Sequence, residues 1–132
     1  MKVLIADEDW AFAQKAWAHF EATANLVLWE PRMAQVAQRA ASWQPDLLIV
    51  SARHVEQGLL EHLPPGPLRP AVLVTEHMAD CDRAWRAWQK GGDELLLKPV
   101  FRSRDLHEAA MSALRNAACN QVGRRQPAAS VA

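Results

Sequence analysis

Short, unbroken apolar runs separated by stretches of helical period constrain this chain more than any other feature. The first is residues 1–6 (MKVLIA), which stops at Asp7-Glu8-Asp9. Residues 25–29 (NLVLW), 47–50 (LLIV) and 71–74 (AVLV) look the same, and a shorter run at 95–97 (LLL) is stopped by Lys98-Pro99. Runs of this length without polar alternation suit strands buried on both faces, as in a parallel sheet.

Between the runs the spacing changes to that of helices. Phe12, Ala16 and Phe20 fall at i, i+4 and i+8, with Ala13 and Trp17 alongside and Asp9 placed as N-cap. Met33, Val36, Ala37 and Ala40 make a second stripe, opened by Pro31 near its first turn. Asp80 is placed to cap another helix, with Ala84, Ala87 and Trp88 inward and Gly91-Gly92 at its end. Leu106, Ala110, Ala113, Leu114 and Ala117 line a last helix capped by Ser103. The segment 52–70 is less regular. A short helix is expected near 58–62, then a loop forced by Pro64-Pro65-Gly66-Pro67. Residues 118–132 carry no hydrophobic period, so the expected organisation is one packed domain over 1–117 and a frayed tail.

Strands alternating with helices predict an α/β fold with helices on both faces of the sheet. Five strands with right-handed crossovers suggest a doubly wound parallel sheet of order 2-1-3-4-5, the flavodoxin-like arrangement. Such sheets place their functional site beyond the carboxyl ends of the strands, where the first and third diverge. Asp7, Glu8, Ser51, Thr75 and Lys98 each stand at the end of a predicted strand and are the candidate site residues.

Composition removes several alternatives. Fifteen basic and fifteen acidic residues cancel, so no broad attraction to a nucleic-acid backbone is expected. Cys81 and Cys119 have no metal or redox spacing, which suits free thiols in a reducing cytoplasm. No apolar run approaches the roughly 20 residues needed to span a bilayer, and no secretory leader is expected. The five histidines do not cluster, and neither a glycine-rich phosphate loop nor a GxSxG elbow is present, so enzymatic chemistry is not expected.

Four segments, in order, carry a family likeness: residues 2–9 (KVLIADED), 45–51 (PDLLIVS), 70–75 (PAVLVT) and 91–100 (GGDELLLKPV). Over residues 2–117 the chain resembles the receiver domain of response regulators, of the chemotaxis-regulator type. The resemblance implies phosphoryl transfer from a histidine kinase to an aspartate ending the third strand. It also implies a magnesium ion held by an acidic pair, with a lysine and a hydroxyl on the phosphoryl oxygens. Phosphoryl transfer of this kind is largely positioning and charge neutralisation. Asp7 and Glu8 match the acidic pair, Thr75 the hydroxyl and Lys98 the lysine, with Pro99 after it at a position suited to a cis bond.

The acceptor position holds Ser51, so the chain is expected to be an atypical, pseudo-receiver member. A serine cannot form an acyl phosphate, is a poor nucleophile without a base, and brings no charge to a metal. Magnesium held by Asp7 and Glu8 alone is therefore expected to be weak or absent, with no other cofactor. Other departures agree. Leu95 takes the place of the family's aromatic switch residue, Val55 that of a proline, and the loop 52–58 is one residue short. Arg53 either folds inward to pair with Asp7 or Glu8 in place of the cation, or points into solvent. Trp17, Trp29, Trp43 and Trp88 are expected to pack inward. Trp85 falls near the face of the fourth helix, fifth strand and fifth helix that receivers use for pairing, and suits a partner surface.

The function expected is phosphorylation-independent signalling in a two-component phosphorelay pathway. The partner would be a kinase, a regulator or a second copy on that face, with no direct nucleic-acid or membrane contact. Two alternatives remain open: a module binding a small molecule or anion in the altered pocket, and a phosphoswitch using Asp9, Asp46 or Ser51 as acceptor.

Overall fold

Each apolar run becomes a strand because burial on both faces rewards residues that are apolar at every position. The computed structural model describes residues 1–125, with side chains through residue 120. β1 (Lys2–Ala6) pairs in parallel with β2 (Leu26–Trp29) on one side and β3 (Leu47–Ser51) on the other. β4 (Ala71–His77) follows β3, and β5 (Glu94–Lys98) closes the row, giving the order β2-β1-β3-β4-β5 expected from the sequence.

The two faces divide by residue parity. Val3, Ile5, Leu47, Ile49 and Leu73 pack against α1 (Trp10–Ala22) and α5 (Ser103–Arg125). Leu4, Leu48, Val50, Val72 and Val74 pack against α2 (Met33–Trp43), α3 (Ala52–Glu56) and α4 (Cys81–Gln89). All of these strand residues are fully buried. Each large apolar side chain so buried is worth about 1.5–3 kcal/mol, and polar residues keep to the strand ends: Lys2 opens β1, Ser51 closes β3, and Thr75, Glu76 and His77 close β4.

Helix ends show where sequence reading holds and where it does not. Asp9 caps α1, accepting from the Phe12 N–H at 3.2 Å. Pro31 lies just ahead of the first turn of α2; Arg32 is the cap residue, and its N–H is taken by Glu30 at 3.1 Å. Asp80 precedes α4 but makes no capping bond. A 3-10 turn, Met78–Asp80, runs directly into the helix, so Asp80 lacks the extended backbone a cap needs. Ser103 is the first residue of α5, and its expected cap position belongs to Arg102.

Segment 52–70 holds more structure than expected. α3 begins directly after Ser51, too short to show a stripe. A 3-10 turn at Leu59–His62 follows Gly58, whose φ of 90° favours a residue without Cβ. A second 3-10 turn, Gly66–Leu68, lies inside the proline-rich loop. α5 runs to Arg125, past residue 117 where the hydrophobic period stops. Polar bonds tie this end of the helix to Asp93: Asn116 donates to its carbonyl at 2.8 Å and Asn120, in the extension, to its carboxylate at 3.2 Å. Residues 126–132, part of the expected frayed tail, lie outside the described residues. Among the described residues no helix is long and apolar enough to cross a membrane.

Gly92, between α4 and β5, supports the sharpest packing test. A Cβ there would stand 2.6 Å from Val74 Cγ2 and 3.2 Å from Trp88 Cδ1. Val74 is fully buried and cannot retreat. Gly92→Ala is expected to lower stability by about 1–3 kcal/mol, read as a lower urea midpoint with an unchanged slope.

Candidate functional site

Parallel strands bring all their carboxyl ends to one edge, and the register sets who meets whom there. Ser51 lies opposite Thr75, and His77 opposite Lys98. Asp7 leaves β1 pointing inward and is wholly buried. Its Oδ1 accepts the Asp9 N–H at 2.9 Å. Its Oδ2 accepts the Thr75 hydroxyl at 2.6 Å and the Lys98 ammonium at 2.8 Å. Lys98 also lies 3.3 Å from Asp9 and 4.7 Å from the centre of the Phe12 ring. The Lys98–Pro99 bond is cis, as the sequence position suggested.

Glu8, the next residue, leaves the strand on its other side and stays partly exposed. Its Oε2 accepts the Ser51 hydroxyl at 2.8 Å and lies 3.4 Å from His54 Nε2. Ser51 is therefore turned from its helix-capping position and spends its proton on Glu8. Arg53 approaches Glu8 only to 4.0 Å, with 62% of its side chain exposed, and makes no contact with Asp7. Exposed pairs at that distance contribute little. Of the two orientations open in the sequence, the structure is nearer the solvent-facing one.

His54 was missed by sequence reading. It is buried, and its Nδ1 has no hydrogen-bond partner among the described residues. The signal was its spacing three after Ser51, which is visible only if a helix starts at Ala52. The two carboxylates of the pair thus do different things: Asp7 is locked to Lys98 and Thr75, and Glu8 serves Ser51 and His54.

Asp9 joins both the cap and the pocket. Burial opposes its ionisation, but the Phe12 N–H, Lys98 and His77 outweigh that and hold its carboxyl below the usual range. His77 lies 3.7 Å from it.

A receiver fold implies a magnesium ion, and this donor set suits one poorly. Both Asp7 oxygens already accept hydrogen bonds, one from an ammonium. Ser51 brings no charge, and Glu8 faces the Ser51 hydroxyl and His54. A hard dication prefers several free carboxylate oxygens and would have to displace Lys98 to obtain them here.

Other sequence candidates fall apart from this cluster. Leu95 is half-buried against the α2–α4 face of the sheet. Trp85 is 54% exposed and meets half-buried Trp88 edge-on at 5.3 Å. Trp29 and Trp43 are half-buried and pack on the core. Trp17 is not inward as expected; it is exposed, because α1 buries the stripe Phe12, Ala13, Ala16 and Phe20 beside it. Asp46 precedes β3 at the opposite end of the sheet, where its carboxylate takes the Lys2 N–H at 2.8 Å. It is too far from Lys98 and Thr75 to serve as an alternative acceptor there.

No protein-family model matches the chain, and no curated protein is significantly similar to it. Solved structures do resemble it. A two-component response regulator from Clostridium difficile superposes with a TM-score of 0.70 at 17% identity, covering 87% of this chain and 96% of that one. A CheY-like receiver domain from Methanospirillum hungatei gives 0.70 at 19%, covering 86% and 93%. The BeF3-activated receiver domain of RstA from Klebsiella pneumoniae gives 0.67 at 15%, covering 86% and 98%. The fold of this chain is that of response-regulator receiver domains.

The Asp7–Lys98 pair yields two expectations. Lys98→Met strands a buried carboxylate and is expected to cost about 3–5 kcal/mol, whereas Asp7→Asn combined with Lys98→Met costs less than the sum of the two; urea unfolding of the four species measures both. Asp9, with its folded value below an unfolded value of about 3.9, contributes stability that is full above pH ~4 and lost as pH falls through the folded value. Asp9→Asn is expected to remove that part of the acid-unfolding limb in thermal scans from pH 6 to pH 2.

Proposed function

We propose that this chain is an atypical receiver module of two-component signalling that works through protein contacts and accepts no phosphoryl group at position 51. The observation that carries this reading is the closed pocket: Lys98 lies 2.8 Å from Asp7, and the Ser51 hydroxyl is given to Glu8. A phosphorylatable receiver needs a carboxylate nucleophile and open carboxylates for a cation. Here a serine stands at the acceptor and an ammonium neutralises the acid. Magnesium binding is then weak, and the module catalyses no reaction of its own.

On this reading the protein is cytoplasmic and acts by presenting a surface. The face of α4, β5 and α5, with Trp85 exposed on it, is the candidate for contact with a kinase, a regulator or a second copy. Arg83 and Arg86 pair with Glu56 of α3 at 3.5 and 3.1 Å, and Arg83 pairs with Glu76 of β4 at 3.5 Å. These pairs link the segment after Ser51 to the helix that carries Trp85.

The test is an amide-resolved NMR titration with magnesium and then beryllofluoride, on the wild type and on Ser51→Asp. The wild type is expected not to respond at millimolar magnesium, while Ser51→Asp gains shifts at Asp7, Lys98 and α4. Wild-type shifts spreading from Asp7 and Lys98 into α4 would overturn the reading and favour a phosphoswitch with Ser51 or Asp9 as acceptor.

A further inference from the structure

The outer side of α1 carries aromatic side chains that the core does not use. Trp10 and Trp17 are seven residues apart, two turns along one side of the helix. Both lie outside its buried stripe, 55% and 37% exposed. Trp29, at the end of edge strand β2, faces them; its ring centre is 4.7 Å from that of Trp10, tilted by 53°. Between α1 and β2 these rings bound a groove of about 800 Å³, with alanines such as Ala18 beside them. That volume is in the range of small-molecule sites, roughly 300–1,000 Å³. A joined patch of exposed apolar rings in a concavity marks a binding surface more often than chance exposure does.

Charge selects the occupant. Among the described residues, Glu21 is the one charged side chain lining the groove, beside neutral Gln14, and no lysine or arginine lines it. The Trp17 indole N–H donates to the Glu21 carboxylate, holding the charge beside the ring. Indole faces are themselves electronegative and attract cations. A carboxylate among three indoles therefore favours a flat ligand with delocalised positive charge and disfavours anions. We propose that the α1–β2 groove binds a small aromatic cation, seated on Trp10, Trp17 and Trp29 with its charge toward Glu21. This inference is independent of how position 51 behaves. It also reaches the strand-end pocket, because the Trp29 indole N–H donates to the Asp7 carbonyl at 2.9 Å. A ligand pressing on Trp29 would be felt at the loop that holds Asp7 and Asp9.

The test uses the full chain and three probes of closely similar shape: N-methylquinolinium, neutral 1-methylnaphthalene and naphthalene-1-sulfonate. Binding is read from the indole N–H resonances in NMR, with assignment by single Trp→Phe variants. The expected result is shifts of Trp10, Trp17 and Trp29 with the cation, at least about tenfold tighter than with the neutral probe. Glu21→Gln should weaken the cation by about tenfold while sparing the neutral probe. Ala18→Trp, a surface change that fills the groove, should abolish both. Equal affinity for cation and neutral probe overturns the proposal, as do shifts confined to Trp43, Trp85 or Trp88. No binding of the cation at millimolar concentration also overturns it. Concentration-dependent shifts of the groove tryptophans without any probe would assign the surface to a second copy of the chain instead.

Discussion

A lysine ammonium held against a wholly buried aspartate organises the working edge of this sheet. Desolvating either charge alone would cost several kcal/mol, and the attraction between them offsets that only when the remaining polar atoms are also satisfied. They are satisfied here by the Thr75 hydroxyl, the Asp9 N–H and the Asp9 carboxylate. The same Asp9 caps α1. One network therefore ties the ends of β1, β4 and β5 to the first turn of the helix that covers one face of the sheet.

Ser51, at the end of β3, brings a hydroxyl and no charge to this edge. Lys98 is the cation that neutralises Asp7, and it is shared with Asp9. Glu8 turns to Ser51 and His54, drawing the first turn of α3 into the pocket. From α3 the path continues outward through Glu56 to Arg83 and Arg86 on α4. The pocket and the surface of α4 are joined by ion pairs whose outer members are partly exposed, so the link is soft compared with the buried pair.

The tryptophans show how far residue patterns reach. Trp29 and Trp43 follow their runs and pack on the core, as hydrophobicity predicts. Trp17 breaks the expectation because it sits one position off the buried stripe that ends in Phe20. Its size suggested burial; its phase on the helix put it outside. The missed α3 has a similar cause. Six residues between a strand and a glycine show no period, so His54 read as an isolated histidine until the chain turned immediately after Ser51.

By itself the sequence determined the strands, their order and the set of residues gathered at their ends. Each apolar run stops at a polar residue, and a parallel sheet must bring Asp7, Ser51, Thr75 and Lys98 to one edge. Only the tertiary structure decided how those residues pair. Adjacent residues leave a strand in opposite directions, so Asp7 turned inward to Lys98 and Glu8 outward to Ser51 and His54, a difference that two neighbouring acids in a sequence do not reveal. The groove of Trp10, Trp17 and Trp29 was equally hidden, because it needs an edge strand and a helix face far apart in sequence to be brought together by the packing of α1 on the sheet.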